Sequence, residues 1–403
     1  MKSQPSISSN ALLQDPPDFS LVLGGPLFQL LYRARLSGNA LEMAGKRIIV
    51  ISLFSWLPLL VLSALQGRVL GGGVAVPFLL DVEIHAKFLL SMPLLIGAEL
   101  VVHRRMRFIV KQFLDRGLIP EKAMTRFNTA VAAAYRLRNS VVAEVLLIIF
   151  VYAVGVFVVW RQYLALDTAT WYAAPSAGGA KLTLAGLWYG YVSLPLFQFL
   201  LIRWYFRLFV WARFLWQVSR IELSLIPTHP DRAGGLGFLA RTVDAFSMLA
   251  VAHGALFAGQ IANRIFHLGA TLPEFKLEAA LLVALLLCGL VGPLLVFATQ
   301  LAQAWRTGLR EYDTLAQRYV REFDAKWLRG GAPADEPFVG SGDIQSLADL
   351  GNSLEVVRSM RFVPVTKEAV FQLAAMTLAP TAPLALTMMP LEELLKKLFG
   401  ILF

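Results

Sequence analysis

Of the 403 residues, 57% are hydrophobic and only 16% are charged, which excludes an ordinary soluble domain, where about a quarter of the residues carry charge. The formal net charge of +10 invites a nucleic-acid reading, but Lys and Arg are gathered between long apolar segments, the signature of membrane topology and affinity for anionic lipid. One cysteine, Cys288, excludes an intrachain disulfide and reads as a small packing residue inside an apolar segment.

In chain order, the polar start from Met1 to Gln14 lacks the charged, apolar and small-residue pattern of a cleaved signal peptide. Residues 26–46 then read as a helix suited to the interface, with Leu27, Leu30 and Leu31 on one face and Arg33 and Arg35 nearby. Seven apolar segments follow, at 48–66, 86–102, 141–160, 182–205, 242–262, 277–302 and 370–389. Each has about the length that a helix needs to cross roughly 30 Å of hydrocarbon. In the last, Pro380 and Pro383 predict a kinked span or a re-entrant hairpin. No internal repeat is visible, which argues against an inverted-repeat transporter.

Basic residues set the orientation, because loops rich in Lys and Arg stay in the cytosol. Five precede the first span, nine lie between spans two and three, six around the end of span four, and nine between spans six and seven. The expected fold class is therefore all-α: a polytopic transmembrane helical bundle of about seven spans with cytosolic helical extensions and a cytosolic N-terminus. The extensions are a basic helix over 104–138, continuations of span four over 203–225 and of span six over 303–328, and a helix over 343–361 capped by Ser341 or Asp343. Glycines and prolines mark 329–340 as the clearest linker. The organisation is a cytosolic N-terminal segment (1–47), spans one to six (48–302), a cytosolic helical layer (303–366), and the last span with a C-terminal amphipathic helix (367–403).

Five candidate sites emerge. In the loop from Pro227 to Phe238, His229, Asp231 and Arg232 sit beside Gly234 and Gly235, so backbone N–H groups can converge on an anion, or His229 and Asp231 on a metal; otherwise the loop is a turn with Asp231 paired or capping. At the outer mouth of span two, Asp81, Glu83 and His85 can attract a cation, or form a solvated turn. At its inner end, Glu99 and His103 are spaced i, i+4, as in a proton relay, with ion pairing to Arg104 and Arg105 as the alternative. Glu144, one turn inside span three, must face a helix or a water path, or pair near Arg138. A pathway would add His253 and Gln260 of span five and Thr377, Thr381 and Thr387 of span seven; a neutral His253 bonded between helices is the bland reading.

The segments from Pro227 to Phe238, Arg213 to Arg220 and Ser346 to Ser353 resemble a family of uncharacterised bacterial inner-membrane proteins. The resemblance covers most of the chain and implies a bacterial cytoplasmic membrane, but assigns no activity. In topology alone, seven spans with a cytosolic N-terminus and long cytosolic helices resemble the insect chemoreceptor-type channels, whose last span lines a central conduit. Two functions are expected: an oligomeric channel or transporter with the last span lining the pathway, or a membrane-anchored scaffold or sensor using its cytosolic helices and the amphipathic stretch 390–399. Expected partners are a bilayer with anionic lipid and further copies of the chain, not nucleic acid. No HExxH or GxSxG motif marks an enzyme, and no cofactor or metal is expected.

Overall fold

A computed structural model describes residues 19–33, 43–160, 169–174 and 181–388. The N-terminal 1–14, residues 34–42 of the expected interfacial helix and the amphipathic stretch 390–399 lie outside the described residues. Among the described residues the fold is an all-α bundle of ten helices: α1 (Pro26–Arg33), α2 (Ala44–Leu65), α3 (Val82–Asp115), α4 (Met124–Arg138), α5 (Val141–Phe150, continued as a wider π-helix over Val151–Trp160), α6 (Leu184–Val218), α7 (Leu236–Leu268), α8 (Leu272–Leu328), α9 (Gly342–Arg358) and α10 (Lys367–Thr387). Six of these, α2, α3, α6, α7, α8 and α10, are long and apolar enough to cross a membrane, and α4 with α5 makes a seventh if the pair, bent by 47° between them, is one span. The chain is a multi-pass membrane protein.

The ends of the helices alternate, so the starts of α2, α5, α7 and α10 and the ends of α3, α6 and α8 meet at one basic end. The expected single helix over 104–138 is instead two: α3 stops at Asp115, Gly117 takes a left-handed turn (φ 62°), and α4 begins at Met124. Span four runs only to Val218 rather than to Leu225. At 57 residues, α8 would measure roughly 85 Å at 1.5 Å per residue, so most of its polar half projects past a 30 Å core. Beyond Leu328 the chain folds back: Lys326 Nζ donates to Glu336 (2.5 Å) and Asp343 (2.9 Å), and Ser341 Oγ accepts from the N–H of Asp343 at the start of α9.

Prolines account for the irregular turns of α3, α6 and α10. A proline offers no N–H and crowds the carbonyl four residues back, so the preceding turn must widen or tighten. In α3 a π-helical turn over Ala86–Ser91 precedes Pro93, and in α6 one over Tyr189–Ser193 precedes Pro195. In α10 the chain passes into a 3-10 helix over Ala379–Thr387, which contains Pro380 and Pro383. The stretched 3-10 rise brings this 21-residue helix to roughly 36 Å, enough to cross, where the sequence also allowed a re-entrant hairpin.

Spans pack closely through small residues. A β-carbon at Gly254 of α7 would overlap the Thr377 carbonyl of α10, and one at Gly259 would sit 2.6 Å from Ala86 Cβ of α3. Ser91 Oγ donates to the Ala252 carbonyl across the same seam (2.9 Å). The outer faces of α2 and α8 expose Ile49, Leu53, Leu57, Leu277, Leu281 and Leu285, as a lipid-facing surface requires. Replacing Gly254 by Ala should destabilise the bundle by about 1–3 kcal/mol through overpacking. Gly289→Ala, on the open face of α8, should leave the thermal midpoint in detergent unchanged or slightly raised.

Candidate functional site

At the basic end a cluster of ionised side chains is buried between four helices. Glu99 of α3 accepts from Arg207 Nη2 (2.6 Å) and Arg203 Nη1 (3.5 Å) of α6 through Oε1, and pairs with Arg47 Nη2 of α2 (2.5 Å) through Oε2. Glu144 of α5 lies 3.3 Å from Arg203 Nη2 and accepts the backbone N–H of Leu27 (2.8 Å). All five side chains are at most 8% exposed. An ionised group alone in hydrocarbon costs at least a few kcal/mol, so these residues persist there as a set.

The segment before α1 enters the same region. Phe19 is fully buried, 5.0 Å from the Phe214 ring and 5.8 Å from Tyr135. Ser20 Oγ accepts the N–H groups of Val22 and Leu23 and bonds His103 Nδ1 (2.9 Å), while the Ser20 carbonyl accepts from Arg138 Nη1 (2.6 Å). Glu99 and His103 therefore face different partners, which separates the two members of the expected relay. Nor does Glu99 pair with Arg104 or Arg105, or Glu144 with Arg138: the spans place Arg47, Arg203 and Arg207 nearer. These three arginines were readable as i, i+4 neighbours on α6 and an inner-end residue of α2, but reasoning from sequence counted them only as topology signals.

At the opposite end, Asp81 and His85 do not share a ligand. Asp81 is the buried N-cap of α3, accepting from Ile84 N–H (3.2 Å), Asn263 Nδ2 (2.7 Å) and Trp171 Nε1 (2.8 Å). His85 accepts the Trp56 Nε1–H at Nδ1 (2.9 Å), which leaves Nε2–H to donate to the Leu79 carbonyl (3.2 Å). Glu83 pairs with Lys87 (2.9 Å), which also donates to Tyr189 Oη (3.0 Å). Among the described residues no group of three or more His, Cys, Asp or Glu side chains could hold a metal.

The expected pathway residues are dispersed. His253 bridges the Leu249 carbonyl from Nδ1 (2.7 Å) and Tyr205 Oη at Nε2 (2.7 Å), the pattern of a neutral ring. Thr377, Thr381 and Thr387 each donate to a carbonyl of their own helix at 2.6–2.7 Å, and Thr377 is fully buried. Gln260 is exposed at a cleft of about 310 Å³ between α7 and α8, beside Arg264 and Glu278.

In the glycine loop, N–H groups do converge on an anion, and that anion is the loop's own Asp231. Its Oδ1 accepts from Ala233 (2.8 Å) and Gly235 (3.1 Å), and Oδ2 from Gly237 (2.8 Å). Gly234 and Gly235 at φ 62° and 100° turn the backbone so that these N–H groups point inward. His229 Nδ1 is 2.9 Å from Oδ1, and Arg116 Nη1 is 3.4 Å from Oδ2. Arg361 fastens the loop to the segment between α9 and α10 through the carbonyls of Asp231 and Arg232 (both 2.7 Å). Around this loop opens a cleft of about 530 Å³ lined by Arg116, Arg232, Arg241 and Arg361. A second, of about 650 Å³, lies between α3, α7 and α10 with Arg104, Arg105 and the same Arg241.

Compared with models of known protein families, with curated proteins and with solved structures, the chain matches none.

Two outcomes follow from these charges. Glu99→Gln should cost about 3–5 kcal/mol, because three guanidiniums then face one carboxylate, and Arg207→Met in that background should recover part of the loss, both read from thermal midpoints. Burial pushes the Asp231 carboxyl up, but the N–H donors of Ala233, Gly237 and Gly235 and the nearby His229 outweigh it and hold the carboxyl below its usual range. Its stabilisation is thus present above the unfolded value of about 3.9 and is lost as pH falls through the lower folded value. Asp231→Asn should lower the midpoint at pH 7, and the difference from wild type should close as the pH is taken below about 4.

Proposed function

We propose that the chain is a multi-pass protein of the bacterial cytoplasmic membrane, with its N-terminus and basic end in the cytosol. It acts as a membrane-anchored scaffold or sensor that engages partners through α8 and α9. The observation that carries this reading is the surface of the projecting half of α8 and its return. Leu315, Val320, Leu328, Val339 and Ile344 are exposed there, interspersed with the exposed charges Arg310, Glu311, Arg318 and Arg321. Large apolar side chains on a segment carried out of the bilayer by its own length are surface for another protein. The basic surplus at this end supports the orientation.

The alternative is an oligomeric channel or transporter with the last span lining a pathway. It requires a conduit formed between copies, because the hydroxyls of α10 and the ring of His253 are engaged within one chain. Ion flux from liposomes containing the purified chain separates the two. The scaffold reading expects no flux above empty vesicles for any cation or anion tested, and selective flux would replace it with conduction. Reporter fusions inside 329–340 should report a cytosolic position; a periplasmic signal would overturn the orientation.

A further inference from the structure

The two arginine clefts at the basic end meet at Arg241, and their charges are arranged unlike those of the buried cluster. Arg47, Arg203 and Arg207 are all paired with carboxylates. By contrast, among the described residues the side chains of Arg104, Arg105 and Arg232 have no hydrogen-bond or ion-pair partner, and that of Arg241 has only the face of the Phe108 ring, 5.6 Å from its guanidinium carbon. Arg361 donates only to backbone carbonyls, and Arg116 reaches Asp231 at 3.4 Å. The carboxylates lining the clefts are Asp231, already held by three N–H donors, and Asp244. Six guanidiniums thus border two neighbouring clefts that share Arg241, lined by two carboxylates, with Glu368 close enough to act on Arg361.

We infer that this pair of clefts binds the phosphate headgroup of an anionic phospholipid, with the acyl chains leaving along the groove between α3, α7 and α10. Depth supports a lipid. Arg104 and Arg105 follow the buried Glu99 by five and six residues of helix, about 8 Å along the axis, which sets them where a span emerges into the headgroups. Guanidinium forks match phosphate oxygens in pairs, and Gln372 and Ser247 line the inner cleft beside Arg104 and Arg105. Toward the bilayer the cleft is lined by Met376, nine residues into α10, and Phe371 near the start of that helix is 76% exposed. A basic pocket between spans at headgroup level, continued by an apolar groove, is the form that anionic lipid recognition takes. A soluble phosphoryl compound would have no use for that groove and would be held at Arg116, Arg232 and Arg361 instead. The inference rests on the spanning bundle and does not depend on the scaffold reading.

Native mass spectrometry of the full chain, released from a neutral detergent, tests it with phosphatidylglycerol, phosphatidylcholine of the same acyl chains, and inorganic pyrophosphate. Phosphatidylglycerol should be retained and phosphatidylcholine lost, and the combined Arg104→Gln, Arg105→Gln and Arg241→Gln variant should weaken the retained lipid by about tenfold or more. Arg126→Gln with Arg136→Gln, both exposed on α4, should bind as wild type does. Should the triple variant fail to fold, Arg104→Gln and Arg105→Gln singly, both at exposed positions, should each show a smaller loss in the same direction. Equal retention of the two lipids, undiminished phosphatidylglycerol binding in the variants, or binding of pyrophosphate without phosphatidylglycerol would overturn the proposal.

Discussion

The ion cluster formed by Arg47, Glu99, Glu144, Arg203 and Arg207 determines how the first four spans can sit together. Each charge would be costly in hydrocarbon, so α2, α3, α5 and α6 have one rotational setting in which every guanidinium meets a carboxylate. Apolar faces alone do not choose among rotations, because lipid tails are as good a neighbour for leucine as another helix is. The aromatic packing around Phe19, Trp211 and Phe214 and the seating of Arg207 over the Trp204 ring then fill the space that this setting leaves.

The far side of the bundle relies on a different device. There α7 meets α3 and α10 through Gly259, Ala86 and Gly254, where backbones approach closely and van der Waals contact replaces charge. Asp81 anchors the end opposite the ion cluster by drawing Trp171 and Asn263 onto the start of α3, tying the connection between α5 and α6 to α7. Both ends are thus fixed by polar groups whose partners come from distant parts of the chain, while the middle is held by shape.

What could be read from the sequence divides along the same line. Each of the seven apolar segments is helical where it was expected, because length and the absence of charge report on the solvent a segment prefers, a property local to the segment. The break was signalled by Gly117 and Pro120 but passed over in favour of the run of basic residues, and the π-helical turns before Pro93 and Pro195 leave the apolar pattern unchanged, so composition does not report them. Candidate sites fared differently. Glu99 and Glu144 stood out as isolated carboxylates within apolar stretches, but their ionic partners are 52 to 108 positions away and no spacing rule reaches that far. In the glycine loop the N–H convergence was legible, and of the two readings the turn with Asp231 engaged matches the geometry, since the acceptor is a residue of the loop itself.

The long reach of these contacts bears on how the nascent chain matures. The Leu27 N–H bonds a carboxylate 117 residues later, and the Ser20 carbonyl an arginine 118 residues later. Arg203 and Arg207 emerge later still, so until span four is made Glu99 has only Arg47 as a counter-ion and Glu144 has no arginine partner. The N-terminal segment, although made first, completes its seat only when Trp211 and Phe214 of α6 arrive to pack against Phe19.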